Sequence, residues 1–191
     1  MTTTWEIAVR DPARLAALER SGLVGTGPED AFDRLIELAA KLIGVRTGCI
    51  TLVDAIRTTA KSSVGFPEGL PLTLPIEQSF CRYVVGLGRP LVVDDSRIDP
   101  RTIGDPAVEV FAAITWAGYP IQDSDGAVLG TFCLMDCAPH EWTAIDIDIL
   151  ATLAAAASSE IALRRSQVET TALRQEVKAL RHALMASKKR R

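Results

Sequence analysis

The sequence predicts an α+β protein in which helices flank a sheet containing an antiparallel strand pair, followed by a long C-terminal helix. Three observations lead there. Short β-branched stretches alternate with amphipathic helical ones across the first two thirds of the chain. Two of the apolar stretches, Trp116 to Gln122 and Val128 to Met135, are separated by Asp123, Ser124, Asp125 and Gly126, which is hairpin chemistry. No glycine or proline occurs from Glu141 to the end, so nothing there interrupts a helix.

Taken in order, DPARLAALERSG offers Asp11 as an N-cap, Pro12 as the first helical residue and Gly22 as the stop. Its apolar pair, Leu15 and Leu18, is small, so this arm must dock on something. From Pro28 to Ile43, residues Phe32, Leu35, Ile36, Ala39, Leu42 and Ile43 share one helical face, and Gly44 ends the helix. Cys49 to Val53 has the composition of a strand. Residues 57 to 76, which include SSVGFPEGLPLTLP, mix a strand end with an irregular loop. Glu77 to Leu87 reads as a short helix stopped near Gly86 and Gly88, and Leu91 to Val93 as a short strand. The stretch DDSRIDPRTIGDP is turn-rich, and its Asp105–Pro106 opens another helix.

Thr143, with Asp146 three residues on, predicts a capping box for the last helix. A helix from about residue 144 to 187 would be roughly 65 Å long and would project from the body. Ile145, Ile149, Leu153, Ala157 and Ile161 recur at four-residue steps, a stripe suited to the body or to a partner's equivalent helix. Leu173, Val177, Leu180 and Leu184 follow the a/d spacing of a short coiled coil. Arg164 and Arg165 fall in the weak seam between them.

The chain has 191 residues, 48% hydrophobic and 24% charged, which suits a globular protein with one main domain. Its net charge of −3 conceals an acidic body, with 12 Lys+Arg against 22 Asp+Glu over residues 1–160, and a basic tail, with 9 against 2 over 161–191. We therefore divide it into an N-terminal helical arm (1–27), a central domain (28–160) and a basic C-terminal helix or coiled coil (161–191). No apolar run is long enough to span a bilayer and no signal peptide is evident, so a cytoplasmic protein with reduced cysteines is expected. The tail lacks aromatic residues, so its charge is read as a solvated helix face or a contact for an acidic protein rather than for nucleic acid.

In order, the segments DPARLAALERSGLVGTGPEDAFDRLIELAAKLIG, CITLVD, SFCRYVV, GRPLVVDDSRIDPR, AGYPI, LGTFCLMD and WTAIDIDILATLA resemble the GAF domains of bacterial signalling proteins. The resemblance covers about residues 11 to 160. It implies an antiparallel sheet with a helical face used for dimerisation and, on the other face, a ligand pocket roofed by a helix and loops. The residues it places at that pocket are Phe66, Phe80, Cys81 and Tyr83, then Arg97, Asp99 and Arg101 in the loop, and Trp116, Tyr119 and Cys133 on the strands. Core packing would equally explain the aromatics, and solvation the loop charges.

The cyclic-nucleotide set of the family is absent, Cys81 is followed by Arg82 rather than the histidine of bilin-binding relatives, and neither His140 nor His182 sits in a pocket element. The sequence thus identifies no cofactor. The implied function is a non-catalytic sensor of a small molecule or of redox state. It would be homodimeric and would relay its state through the C-terminal helix to a signalling partner. Two alternatives remain open. One is a reductase like the free methionine-R-sulfoxide reductases of the same family, with Cys81 as nucleophile and Cys133 or Cys137 resolving. The other is a ligand-free dimerisation or adaptor module. Cys133, Cys137 and His140 lack a second ligand pair for zinc. The chain has no phosphate-binding glycine loop and no serine-hydrolase elbow.

Overall fold

In the computed structural model, which describes residues 4–66 and 69–188, the capping signals act as expected. Asp11 accepts the Arg14 amide at 2.9 Å and starts α2 (Pro12–Arg20). A preceding helix, α1 (Thr4–Val9), was not foreseen. The third helix, α3 (Asp30–Ile43), ends in a left-handed Gly44. The Thr143 hydroxyl accepts the Asp146 amide at 3.2 Å, and the Asp146 carboxylate accepts the Thr143 amide at 3.0 Å. That reciprocal cap opens α6 (Ala144–Lys188), a helix of 45 residues.

Six strands form one antiparallel sheet in the order β3-β2-β1-β6-β5-β4. They are β1 (Thr47–Val53), β2 (Arg57–Val64), β3 (Thr73–Pro75), β4 (Leu91–Val93), β5 (Thr115–Gln122) and β6 (Val128–Asp136). Both faces of the central strands are covered. On one face α3 and α6 pack, and Phe32, Ile36, Ile50, Phe132, Leu134, Leu150, Ala154 and Ala157 form the core. On the other face lie α1, α4 (Cys81–Leu87) and α5 (Pro106–Phe111), enclosing Val9, Cys49, Val53, Phe80, Cys81, Val84, Trp116, Cys133 and Met135. Alternation along each strand supplies the two cores in turn.

Several details differ from the sequence reading. Residues 57–64 form a full strand, because pairing with β1 supplies the apolar contact that the polar sequence RTTAKSSV does not advertise. Gly86 lies inside α4 rather than at its end. A Cβ there would come within 2.3 Å of the Trp5 Cβ, so glycine is what lets α1 lie against α4. On α3, Ala40 is buried and Leu42 is 57% exposed. On α6 the docked stripe is Leu150, Ala154, Ala157 and Ile161, whereas Ile145 is 71% exposed and Ile149 and Leu153 are half-buried. Leu173, Val177 and Leu180 are exposed. Leu184 and His182 concern side chains outside the described residues, as does the terminal run 189–191.

Buried cations tie the outer helices to the sheet. The Arg14 guanidinium donates to the Val53 and Val9 carbonyls at 2.7 and 2.5 Å. Arg82 pairs with Asp105 and donates to the Glu77 and Ser79 carbonyls, joining α4 to the N-cap of α5. The two side chains of that pair are 5% and 3% exposed. Removing one member of such a buried pair typically costs about 3–5 kcal/mol, because the other is left uncompensated. Asp105→Ala is expected to lower the urea midpoint accordingly, whereas Asp95→Asn, in an exposed pair with Arg97, leaves it unmoved. A Cβ on Gly130 would meet the Thr51 carbonyl oxygen at 1.8 Å. Gly130→Ala therefore pushes β1 from β6 and costs more than the ~1–3 kcal/mol of ordinary overpacking, measurable in the same urea titration.

Candidate functional site

A cavity of about 40 Å3 lies between the sheet and the α4–α5 layer. Cys49 and Thr51 of β1 and Thr58 and Ala60 of β2 form its floor, with Trp116 of β5 and Met135 of β6 beside them. Phe80 and Cys81 at the start of α4, Ala107 of α5 and Phe66 close it over. Phe80 and Trp116 meet edge to face, with ring centroids 5.7 Å apart. The roof ends where Ala112 turns left-handed at φ 47, an uncommon conformation for a residue with a Cβ. Among the described residues no charged side chain lines this space, so it is an apolar chamber with a few hydroxyls and thiols.

The thiols are the chemical feature. Cys49 and Cys133 are cross-strand partners on β1 and β6, and their sulfurs are 3.3 Å apart. Cys81 lies in the same buried cluster as Cys133 and accepts from the Thr51 hydroxyl at 3.2 Å. These donors, Cys133 foremost with Ser79 and Thr51 behind it, outweigh burial and pull the Cys81 thiol down to about 6. Cys133 moves the opposite way, well above its ordinary value, because its proton is held by Cys49 and Cys81 and because it is wholly buried. The result is a group of three free, buried thiols, Cys49, Cys133 and Cys81, of which Cys49 and Cys81 line the cavity.

A wider cleft of about 430 Å3 adjoins the cavity, sharing Phe66 and Met135 with it. Its rim includes Arg46, Glu109, Asp136 and the exposed Cys137. Arg46 donates to Asp136 at 2.7 Å and to the Cys137 sulfur at 2.8 Å. The guanidinium holds the Asp136 carboxyl well below the usual range.

The ten residues proposed from the sequence divide. Phe66, Phe80, Cys81 and Trp116 line the cavity, and Cys133 lies directly behind Cys81. Tyr83 packs against the same core without lining the cavity; its hydroxyl donates to Asp105 at 2.6 Å and accepts from Arg82, so it buttresses the roof. Arg97 and Arg101 pair locally with Asp95 and Asp99 in an exposed loop that does not reach the cavity. Tyr119 packs with the α3–α6 core on the opposite face. Cys49, Thr51, Thr58 and Met135 were not foreseen as site residues. Alternation from Cys133 would have placed Met135 there, and the register of β1 against β6 brings Cys49 opposite Cys133. Among the described residues no group of three or more His, Cys, Asp or Glu side chains is placed to hold a metal ion, and no helix is long and apolar enough to cross a membrane.

Comparison with known proteins agrees with this architecture. A cyclic di-GMP phosphodiesterase of Pseudomonas aeruginosa is 28% identical over 130 residues, which is 67% of this chain but 22% of that protein. The chain thus spans about a fifth of that relative. The GAF domain of a phosphoenolpyruvate-protein phosphotransferase from Coxiella burnetii superposes with a TM-score of 0.61 at 15% identity, covering 86% of this chain and 98% of that one. The free methionine-R-sulfoxide reductase of Neisseria meningitidis, solved with its substrate, gives 0.57 at 16% identity, covering 80% and 89%. At such identities these structures share the fold alone. The GAF domain family matches residues 27–161, and with its six-stranded antiparallel sheet and helices on both faces the chain belongs to the GAF domain family.

Proposed function

We propose that this protein is a non-catalytic sensory domain whose cavity registers a small molecule or a redox state and whose long helix α6 passes the change to a signalling partner. The observation that carries this reading is the two-sided sheet. Cys133 and Met135 of β6 lie in the core layer that encloses the thiol cavity, while Phe132 and Leu134 of the same strand lie in the layer of α6. A change that shifts β6 on one side must alter the seat of the helix on the other, because close-packed cores do not absorb displacement. The input would then bias two arrangements of α6 by whatever difference in affinity it has for them.

Where α6 leaves the body, Arg164 pairs with Glu29 and donates to the Gly22 carbonyl, and Arg165 pairs with Asp125 at the β5–β6 turn. These contacts suit a junction that holds one arrangement until the body shifts. Exposed apolar residues on adjacent helices, Leu38 and Leu42 on α3 with Ile145 and Leu163 on α6, fit a homodimer interface. Placement in the cytoplasm, beside an output protein, follows from the same reading. That a domain of this kind forms part of a cyclic di-GMP phosphodiesterase supports an output in signalling chemistry.

The line of thiols favours one second reading, a cysteine-based reductase. Turnover of free methionine sulfoxide that disappears in Cys81→Ser would establish it; none is expected. Native mass spectrometry tests the main proposal. The expected species is a dimer carrying a small dissociable mass or thiols in a single oxidation state. An empty dimer with unreactive thiols would favour an adaptor, and a monomer would remove the dimeric relay. Leu38→Glu combined with Leu42→Glu is expected to convert the dimer to monomer with unchanged far-ultraviolet circular dichroism.

A further inference from the structure

We infer that Cys81 and Cys133 form a peroxide-oxidisable thiol pair, with Cys49 as the exchange partner behind them, and that the cavity above Cys81 admits hydrogen peroxide or an equally small hydroperoxide. The inference rests on the sensory reading and specifies its input.

Three independent features point this way. At about 40 Å3 the cavity holds only a few non-hydrogen atoms, too few for a nucleotide or a tetrapyrrole. Thr58, which lines it, is buried and its hydroxyl has no hydrogen-bond partner among the described residues, so a polar entrant would meet a free donor and acceptor there. The nucleophile is not solitary: Cys49 lines the same cavity as Cys81, Cys133 lies in the same buried cluster, and the Cys133 sulfur is 3.3 Å from that of Cys49. The adjoining cleft, divided from the cavity at Phe66 and Met135, provides an approach from solvent.

The chemistry balances with one oxidant and one reductant. The Cys81 thiolate attacks the proximal peroxide oxygen; the O–O bond breaks, and the distal oxygen leaves as water, or as an alcohol from an organic hydroperoxide, after taking up a proton. Cys81 is then a sulfenic acid. The Cys133 sulfur attacks it, hydroxide leaves and takes the Cys133 proton as water, and a Cys81–Cys133 disulfide remains. Exchange by Cys49 can pass the bond to the cross-strand Cys49–Cys133 pair, returning Cys81 to the thiol. A dithiol reductant restores all three. Moving a covalent bond between α4 and β6, or between β1 and β6, acts directly on the strand that seats α6.

The test uses the full chain carrying Cys137→Ser, so that only Cys49, Cys81 and Cys133 remain of the four free cysteines. With one equivalent of hydrogen peroxide, two of those three thiols should be lost to a thiol reagent after denaturation. The intact mass should fall by two hydrogens, and dithiothreitol should reverse both changes. In Cys133→Ala, which also removes the foremost influence lowering the Cys81 thiol, the reaction should be slower and should halt at Cys81 with one added oxygen, trapped by dimedone, while Cys81→Ala should not form the disulfide. Both variants keep a small apolar side chain, and circular dichroism checks that each is folded. Cumene hydroperoxide, too large for the cavity, should react at least about tenfold more slowly. Oxidation of a folded Cys81→Ala variant at the parent rate, inert buried thiols, or equal rates with the two peroxides would overturn the inference. A non-covalent mass bound to a protein with inert thiols would overturn it while leaving the sensory reading standing. A disulfide that forms without altering hydrogen exchange in α6 would leave the thiol chemistry standing and remove the relay.

Discussion

The structure depends on one constraint, that the central strands β1 and β6 are buried on both faces. An antiparallel sheet can leave one face to solvent, and its strands then alternate apolar with polar. Here β6 is buried at seven consecutive positions, Leu129 to Met135. Its polar members are confined to small groups such as Thr131 and Cys133. Gly130, tight against the Thr51 carbonyl, shows how little slack lies between the two strands. Neither helical layer can therefore move independently of the sheet.

That close fit leaves the attachment of the helices to charge. Arg14, Arg82 and Lys61 are each buried, and each is held by carbonyls or a carboxylate of another element. Taking a cation from water is expensive, and a buried pair adds little net stability over apolar packing. Its effect is to fix geometry. Arg14 aligns α2 with β1, Arg82 aligns α4 with α5, and Lys61 holds Glu29, which also receives Arg164 from α6. Both cations depress the Glu29 carboxyl against the opposing effect of burial. One carboxylate thus connects β2, the entry to α3 and the start of the projecting helix.

Much of this was legible where local chemistry decides the outcome. The Asp11 cap, the Asp123–Gly126 turn and the Thr143–Asp146 box depend on residues within a few positions of one another, and the structure has them as read. What misled was information that only partners supply. The stripe on α6 was rotated because Ile145 and Leu153 satisfy helical spacing as well as Leu150 and Ala154 do, and α3 decides which is covered. The polar β2 gains its contacts from β1. Tyr119 could have been excluded from the sequence alone, since it stands three residues from Trp116 and an odd separation on a strand reverses the face. For Arg97, Asp99 and Arg101 the two-residue spacing of opposite charges was the clue to local pairing. Cys49 reads as a small hydrophobe until the register sets it against Cys133.

The size of the cavity limits how an occupant confined to it could drive α6. A non-covalent ligand contributes at best roughly 1.5 kcal/mol per non-hydrogen atom, even for the smallest and best-fitted molecules. An occupant of about three atoms would thus have under ~5 kcal/mol in all, and only the part that differs between two states can shift their populations. Converting a two-state element from one extreme to the other takes about 5.5 kcal/mol of differential affinity. A space this small is therefore poorly matched to switching by binding alone. A disulfide between elements would escape the limit, because its energy would come from the oxidant consumed rather than from contact area. Three thiols beneath a chamber of a few atoms, behind the strand that seats the long helix, fit a covalent trigger better than a reversible one.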